Sequence, residues 1–373
     1  MKKKIKLLTV VGTRPEIIRL SAILPKFDIY FDHLIINTNQ NFNHNLNKIF
    51  FNELKLRDPD YTIKATEENN IDKIGSILSY TNKIIKKTKP DAFFVLGDTN
   101  SCLAAYAAKR NKIPIFHYEA GNRSFDSRVP EEINRKIIDH LSDINLTYSN
   151  ISREHLIREN LPANQIIKIG SPLKEVFLKY KSKIKNSKIN KKFNIKKNNY
   201  FLISFHREEN IDNIKNLLKI CKIIDKISKN YNKKIILSMH PRTQNKLDEL
   251  NIIMSKNVII SEPFGYIDYV KLMIDSFVVI SDSGSINEEA SILNIKAINL
   301  RDTHERPEAM ENSATIMCSL DEDIINSAIK ILNEKQHKII CHKDYDINNV
   351  SSLIIKNIFS YINFINQNTW KKY

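Results

Sequence analysis

Short apolar runs alternate with segments of helical periodicity along most of the chain. In the first half, the apolar runs end in small or polar residues; they lie at 4–12, 33–39, 91–99, 113–121, 144–150 and 165–172. Helical segments are predicted between them, at 43–54, 70–88 and 101–110. This alternation of strands and helices predicts a parallel, doubly wound sheet that binds ligands beyond the carboxyl ends of its strands.

A second series of strands follows a basic segment in the middle of the chain. Its apolar runs lie at 199–208, 233–241, 257–263, 277–284, 297–302 and 314–318. A length of 373 residues accommodates two domains. We therefore predict an α/β protein of two doubly wound domains that face each other across a cleft. The predicted divisions are an N-terminal domain at 1–172, a basic linker at 173–198, a second domain at 199–350 and a C-terminal helical segment at 351–373.

The net charge of +16 first suggests a polyanionic partner. However, the lysines are spread along the whole chain, and the densest basic run, at 179–200, contains no glycine. A solvated linker explains this run better than a polyanion site, so we expect no nucleic-acid partner. A substrate that carries phosphate is sufficient to account for the charge.

The cysteines and the hydrophobic segments indicate a compartment. The four cysteines, Cys102, Cys221, Cys318 and Cys341, are far apart in sequence and form no C-x-x-C pair. This spacing argues against a metal site and against a disulfide framework, and it is typical of a reducing cytoplasm. No run of 18 apolar residues occurs, so we predict no membrane span and a cytoplasmic location.

Two strand-to-helix turns have the composition of anion sites. Gly12, Thr13 and Arg14 follow the first strand, where backbone amides and a guanidinium group could bind a phosphate, although a plain turn with a surface arginine has the same composition. In the second half, Ser283-Gly284-Ser285 precedes Glu288 and Glu289. That turn suits a diphosphate followed by a carboxylate for ribose, and an ordinary helix N-terminus with acidic residues is the alternative.

Further polar residues lie at the ends of other predicted strands: Asp98, His206 and His240. A single histidine at a strand end is more often structural than catalytic. Several such ends at one edge of a sheet favour a functional site. The sequence contains no G-x-S-x-G elbow and no phosphate-binding P-loop, and its seven glycines include no dinucleotide-binding fingerprint.

Taken together, these motifs resemble the non-hydrolysing UDP-N-acetylglucosamine 2-epimerase family. The motifs that carry the resemblance, in order, are GTRPE, GDT, HYEAGNR, PEEINR, HREEN, DSGSINEEA and RDTHERPEA, between about residues 5 and 320. The resemblance implies a GT-B arrangement of two Rossmann-like domains and reversible inversion at C2 of a UDP-2-acetamido sugar. It also implies that UDP is eliminated to leave a glycal and is then added back, without a redox cofactor. We expect a homodimer that supplies surface polysaccharide synthesis.

The resemblance also implies roles for individual residues. The catalytic candidates are Asp98, Glu119, Glu131, Arg135 and His206, since proton transfer on both faces of the sugar needs groups on separate loops. The candidates for binding the UDP-sugar are Arg14, Arg19, Gln40, His240, Ser283, Gly284 and Glu289.

The chain departs from the usual family pattern at several positions. Arg19 stands where the family usually has lysine, and His304 stands where it has threonine. The loop around Asn122 and Arg123 is short and resembles the branch that acts on a 6-deoxy sugar with L-talo and L-fuco products. A GT-B glycosyltransferase that uses a UDP-sugar donor and a non-catalytic UDP-sugar sensor are the alternative functions.

Overall fold

The protein forms two compact units, each built around a parallel sheet. The computed structural model describes residues 4–39, 50–63, 69–205, 207–239, 241–334 and 339–372. Unit 1 comprises residues 1–179 and 343–373, and unit 2 comprises residues 180–342. The side chains of Glu208, Glu209, Pro241 and Arg242 are not described.

The sheet of unit 1 contains seven parallel strands in the order β3-β2-β1-β4-β5-β6-β7. The strands are β1 (Lys6–Val11), β2 (Asp32–Asn37), β3 (Tyr61–Thr62), β4 (Ala92–Leu96), β5 (Ile115–Ala120), β6 (Ile144–Thr147) and β7 (Ile166–Lys168). The helices between them are α1 (Arg14–Leu20), α2 (Leu24–Tyr30), α3 (Asn70–Thr88), α4 (Ala105–Arg110), α5 (Pro130–Leu141) and α6 (Asn150–Arg158). Short 3-10 turns lie at Asn100–Ala104 and Ala163–Gln165.

The sheet of unit 2 contains six parallel strands in the order β10-β9-β8-β11-β12-β13. The strands are β8 (Tyr200–Ser204), β9 (Lys234–Ser238), β10 (Val258–Ser261), β11 (Val278–Ser281), β12 (Ala297–Asn299) and β13 (Thr315–Met317). Two helices, α7 (Leu173–Asn186) and α8 (Ile189–Lys192), precede β8. The later helices of unit 2 are α9 (Glu208–Ile211), α10 (Ile214–Tyr231), α11 (Pro241–Glu249), α12 (Tyr266–Asp275), α13 (Ile286–Leu293), α14 (Pro307–Glu311) and α15 (Glu322–Leu332). The last helix, α16 (Val350–Asn368), belongs to unit 1.

The central strands of both sheets are apolar on both faces because helices cover both faces. In unit 1, β4 is buried along its whole length, and Phe93 and Val95 pack with Val10 of β1. In unit 2, Phe201 and Ile203 of β8 pack with Ile280 of β11. The apolar runs in the sequence therefore reflect strands with two buried faces, and the predicted class of two parallel α/β domains is confirmed.

The direction of strand addition reverses once in each sheet. In unit 1 the reversal lies between β1 and β4, and in unit 2 it lies between β8 and β11. The crevice outside the carboxyl ends of such a strand pair is the usual ligand site of a doubly wound sheet. In unit 1 the residues that follow β1 and β4, at 12–13 and 97–99, meet this condition. In unit 2 the turn at 282–285, which follows β11, meets it.

The C-terminal helix α16 packs on unit 1. The ring of Phe359 stacks on Phe31 with centroids 4.9 Å apart. The Glu175 carboxylate accepts hydrogen bonds from the backbone N–H of Ser351 at 2.9 Å and from the Lys26 ammonium at 3.0 Å. The segment 173–198, predicted as a basic linker, contains α7 and α8. Within the described residues, no helix is long and apolar enough to cross a membrane.

Candidate functional site

Asp98 is held at the end of β4 by the first turns of α5. The Arg135 Nε donates to Asp98 Oδ2 at 2.7 Å, and Arg135 Nη1 donates to Glu132 Oε2 at 2.8 Å. The Asn134 side-chain amide donates to the backbone carbonyl of Asp98 at 2.9 Å. Asp98 and Arg135, both predicted from the sequence, are therefore brought together as an ion pair whose arginine is almost fully buried.

Glu119 lies on an irregular part of β5, next to the end of β4. Its φ angle is +75°, and the pairing between β5 and β6 shifts register between Tyr118 and Ala120. A side chain other than glycine rarely adopts a positive φ, and such irregularities re-aim side chains near active sites. A Cβ added to Gly97 would lie 3.8 Å from Glu119 Oε2, so the carboxylate lies beside the turn that carries Asp98.

The Glu119 carboxylate is bound by residues from three other segments. Arg19 Nη1 of α1 and the Tyr148 hydroxyl after β6 each donate to Glu119 Oε2 at 3.1 Å. The Asn122 side-chain amide lies 3.4 Å from Glu119 Oε1. Arg19, predicted as a substrate-binding residue, thus forms an ion pair with a predicted catalytic carboxylate. Tyr148 was not predicted, because an aromatic residue after an apolar run does not differ from a core residue in the sequence.

The adjacent acids of α5 occupy different environments. Glu132 is buried and accepts hydrogen bonds from the Ser124 N–H at 3.0 Å and the Phe125 N–H at 3.2 Å. Burial acts to raise the pKa of the Glu132 carboxyl, but the hydrogen bonds from Ser124 and the charge of Arg135 hold that pKa below its ordinary value. Glu131 is half-buried, and no described residue forms a hydrogen bond or ion pair with its side chain. Of the two, Glu132 orders the loop and Glu131 remains the candidate for chemistry.

An internal carboxylate occupies the turn after β1. Glu16 Oε2 accepts hydrogen bonds from the Gly12 N–H at 2.6 Å and the Thr13 N–H at 3.3 Å, and the Thr99 hydroxyl donates to Glu16 Oε1. Burial raises the pKa of the Glu16 carboxyl to about 7, despite these hydrogen bonds. The amides that the sequence suggested for a phosphate are therefore directed at Glu16. The guanidinium of Arg14 lies over the Phe50 ring, 4.4 Å from its centroid.

A buried charged network supports the loop after β5. The His117 imidazole lies 2.9 Å from Asp139 Oδ1 and 3.0 Å from the Gly97 carbonyl oxygen. Arg123 Nη1 donates to Asp139 Oδ2 at 2.7 Å, and its Nη2 donates to Glu159 at 2.6 Å. Burial acts to raise the pKa of Asp139, and its hydrogen bonds and charge interactions with His117 and Arg123 hold it below its ordinary value. This network joins the ends of β4 and β5 to α5 and α6.

In unit 2, the Ser283-Gly284-Ser285 turn follows β11 at the reversal of the sheet. The hydroxyls of Ser283 and Ser285 lie 3.0 Å apart, and the Ser285 hydroxyl donates to Glu289 Oε2 at 3.1 Å. A Cβ on Gly284 would lie 2.2 Å from Glu305 Oε1, so this position has no space for a side chain unless Glu305 moves. The turn is therefore packed tightly against the loop that follows β12.

The neighbouring charged residues of unit 2 divide into buried and half-buried groups. Glu288 is fully buried, and its Oε2 lies 3.7 Å from Arg306 Nε. Glu289, one residue further along α13, is half-buried. The Asp282 side chain accepts hydrogen bonds from the Arg207 N–H at 3.0 Å and from Asn210 Nδ2 at 2.9 Å, which ties the loop after β8 to the turn. Three predicted site residues, Gln40, His206 and His240, lie outside the described residues.

Comparisons with known proteins identify the family of the chain. Residues 26–358 match the family model of UDP-N-acetylglucosamine 2-epimerases. The UDP-N-acetylglucosamine 2-epimerase of Methanocaldococcus jannaschii is 39% identical over 342 residues, which cover 89% of this chain and 93% of that protein.

Two solved structures are similar over nearly the whole chain. A structure of UDP-N-acetylglucosamine 2-epimerase from Rickettsia bellii has a TM-score of 0.90 and 40% identity, covering 99% of this chain and 100% of that one. A structure of the M. jannaschii enzyme in complex with UDP-GlcNAc and UDP has a TM-score of 0.88 and 35% identity, covering 95% of this chain and 100% of that one. The resemblance of the sequence motifs is confirmed, and the chain belongs to the UDP-N-acetylglucosamine 2-epimerase family.

Proposed function

We propose that this UDP-sugar 2-epimerase interconverts UDP-N-acetylglucosamine and UDP-N-acetylmannosamine through elimination and re-addition of UDP. A base removes the C2 proton, the electrons of the C–H bond form a C1–C2 double bond, and the C1–oxygen bond breaks with its electrons on the β-phosphate of UDP. A proton then reaches C2 from the opposite face, and UDP adds again at C1. Atoms and charge balance without an oxidant or a reductant.

The observation that carries the proposal is the set of carboxylates at the carboxyl edge of the unit 1 sheet. Asp98 and Glu119 end adjacent strands, and each is bound by an arginine from a different helix. Glu131 supplies a third carboxylate that no described residue binds. Opposite faces of one carbon need separate proton-transfer groups, and carboxyl groups in different environments can hold different protonation states. Asp98, Glu119 and Glu131 are the groups that we assign to this role, with His206 as a further candidate.

The UDP moiety is assigned to unit 2. Ser283 and Gly284 form a small-residue turn at the point where the sheet reverses, which is the position that suits a diphosphate. Glu289 is half-buried four residues beyond Ser285, and it is the acid that we assign to the ribose. Arg14, Gln40 and His240 complete the proposed binding residues on the strength of the family resemblance.

Substitution of the carboxylates tests the catalytic assignment. We expect Glu119→Gln and Glu131→Gln each to lower kcat by about 100-fold or more, because the amide keeps the shape of the side chain but cannot accept the proton. Calorimetry with UDP should show that both variants still bind the nucleotide. Glu154→Gln, at an acid whose side chain is 62% exposed, is the matched control and should retain its turnover. Near-normal turnover of both variants would refute the assignment.

The short loop after β5 is the basis for a second candidate sugar. Phe125 is 75% exposed and packs edge-on against His155, so its ring is available as an apolar wall together with Val129. If this loop meets C6, a 6-deoxy sugar would be preferred by about 1–3 kcal/mol, the range for one small apolar group in a pocket. Measurement of kcat/KM for UDP-N-acetylglucosamine and for the 6-deoxy L-talo substrate decides between the sugars. A clear preference for UDP-N-acetylglucosamine excludes the 6-deoxy candidate.

We also propose that the enzyme is a cytoplasmic homodimer. Ile133 and Ile137 lie one helical turn apart on α5 and are 56% and 46% exposed, which forms an apolar strip suited to a second copy. Light scattering coupled to size exclusion should give twice the chain mass, and Ile133→Lys should shift it toward one chain. A single-chain mass for the wild type would refute the dimer.

Fractionation of cells tests the proposed cytoplasmic location. Recovery of the protein outside the cytoplasm would refute that location.

A further inference from the structure

Tyr148, Arg19 and Glu119 form a closed triangle of polar contacts. The Tyr148 hydroxyl lies 3.1 Å from Glu119 Oε2 and 3.3 Å from Arg19 Nη1, and Arg19 Nη1 lies 3.1 Å from the same carboxylate oxygen. Arginine can only donate and a carboxylate can only accept. The tyrosine must therefore accept from Arg19 and direct its single proton to Glu119.

The backbone of Glu119 needs this restraint. Its φ of +75° falls in a region that is unfavourable for a residue with a Cβ, and such conformations persist only where the surrounding contacts hold them in place. The register shift in β5 removes part of the regular strand pairing at the same point. The side-chain contacts to Arg19 and Tyr148 therefore help to fix where the carboxylate lies.

Tyr148 is itself held rigidly. Its side chain is fully buried, and its ring packs edge-on against Tyr118 with centroids 4.9 Å apart. The Tyr118 hydroxyl is engaged elsewhere, because it donates to the Gly170 carbonyl at 2.6 Å. The Arg19 guanidinium lies 5.8 Å from the centroid of the Tyr148 ring, which adds a cation–π contact to the hydrogen bond.

We propose that Tyr148 is a positioning residue that orients Glu119 and favours its ionised form for proton transfer at C2 of the sugar. The inference rests on the proposed function, in which Glu119 is a proton-transfer group. A hydrogen bond to the charged form of a carboxylate favours that form. Removal of the tyrosine hydroxyl takes one acceptor from Arg19 but leaves the ion pair between Arg19 and Glu119 in place. The other charged groups at this edge of the sheet do not contact the hydroxyl; they are Glu16, Asp98, Glu131, Glu132 and Arg135.

The test compares Tyr148→Phe with Tyr118→Phe. Both changes remove one buried hydroxyl and keep the ring, but only the first removes a donor to Glu119. For Tyr148→Phe we expect kcat to fall about 10-fold with KM within about 2-fold, and the acid limb of the kcat profile to move up by about 0.5–1 pH unit. Tyr118→Phe should keep kcat within about 3-fold and leave the pH profile unchanged. UDP calorimetry and Tm on both variants report folding.

The outcomes separate this inference from the proposed function. A wild-type enzyme without epimerase activity, or an active Glu119→Gln variant, refutes the proposed function. An inactive Glu119→Gln variant together with a Tyr148→Phe variant that keeps the wild-type kcat and pH profile refutes the positioning role alone. Equal losses of kcat in the two tyrosine variants, with no change in either pH profile, also refute it, because they indicate loss of packing.

Discussion

The pH dependence of stability provides a direct test of the Glu16 environment. The carboxyl is buried in the turn after β1, where burial raises its pKa from 4.5 to about 7. The folded state therefore binds this proton more tightly than the unfolded state. The contribution of Glu16 to the free energy of unfolding is fully present below pH 4.5, and it is lost as the pH rises through 7. We predict that Glu16→Gln removes this loss.

The size of the effect follows from the shift in pKa. Each pKa unit corresponds to about 1.4 kcal/mol, so the ionised carboxylate costs the folded state about 3 kcal/mol at high pH. Between pH 5.5 and pH 8, about 2 kcal/mol of that cost develops in the wild type. Glutamine cannot ionise, and its amide carbonyl can still accept from the Gly12 amide. The difference in unfolding free energy between variant and wild type should therefore move by about 2 kcal/mol in favour of the variant across this window.

The single tryptophan makes the measurement specific to unit 1. Trp370 follows α16, which packs on the same unit as Glu16, and its fluorescence reports unfolding of that unit in urea. Glu154→Gln, at an exposed acid of α6, is the matched control, and its difference from the wild type should stay constant with pH. A constant difference for Glu16→Gln over the same window, or a change in the opposite direction, would refute the reasoning.

Three further substitutions test other parts of the structure. Gly284→Ala places a Cβ 2.2 Å from Glu305 Oε1 and should weaken UDP binding at least ~10-fold by calorimetry. The control is Gly75→Ala, whose Cβ meets no atom within 4 Å, and this variant should keep the wild-type affinity for UDP. Phe359→Ala removes the stacking on Phe31 and should lower the stability of unit 1 in urea by about 1–2 kcal/mol, and an unchanged midpoint would contradict the docking of α16. Asp139→Asn removes the fully buried carboxylate of the ion pair with Arg123 and should cost about 3–5 kcal/mol by the same assay, whereas a loss below about 1 kcal/mol would contradict an essential buried charge.

The sequence predicted the strands and the positions of several acids because both depend on local pattern. Parallel strands buried on two faces produce continuous apolar runs, so a polar residue that ends such a run, as Asp98 does, is recognisable without a structure. Glu119 was predicted from the family resemblance of the motif HYEAGNR. The sequence could not reveal that Glu119 adopts a positive φ, because that depends on pairing with β6 and on contacts from α1.

The contacts that the sequence did not predict join residues far apart in the chain. Arg135 was predicted as a catalytic candidate, but its pairing with Asp98 and Glu132 was not predicted. Which of two adjacent acids faces inward depends on the rotation of α5 against the loop at 124–125. Tyr148 is separated from its partner Arg19 by 129 residues, so only the folded arrangement shows their contact.

The origin of the hydrogen at C2 tests the central claim most directly. The purified enzyme would be incubated with UDP-N-acetylglucosamine in deuterated water, and C2 of the sugar would be followed by NMR. Removal and return of a proton by enzyme carboxyl groups predicts UDP-N-acetylmannosamine that carries deuterium at C2 and retains its UDP. Epimerisation without deuterium at C2, or steady release of free sugar, would contradict the mechanism.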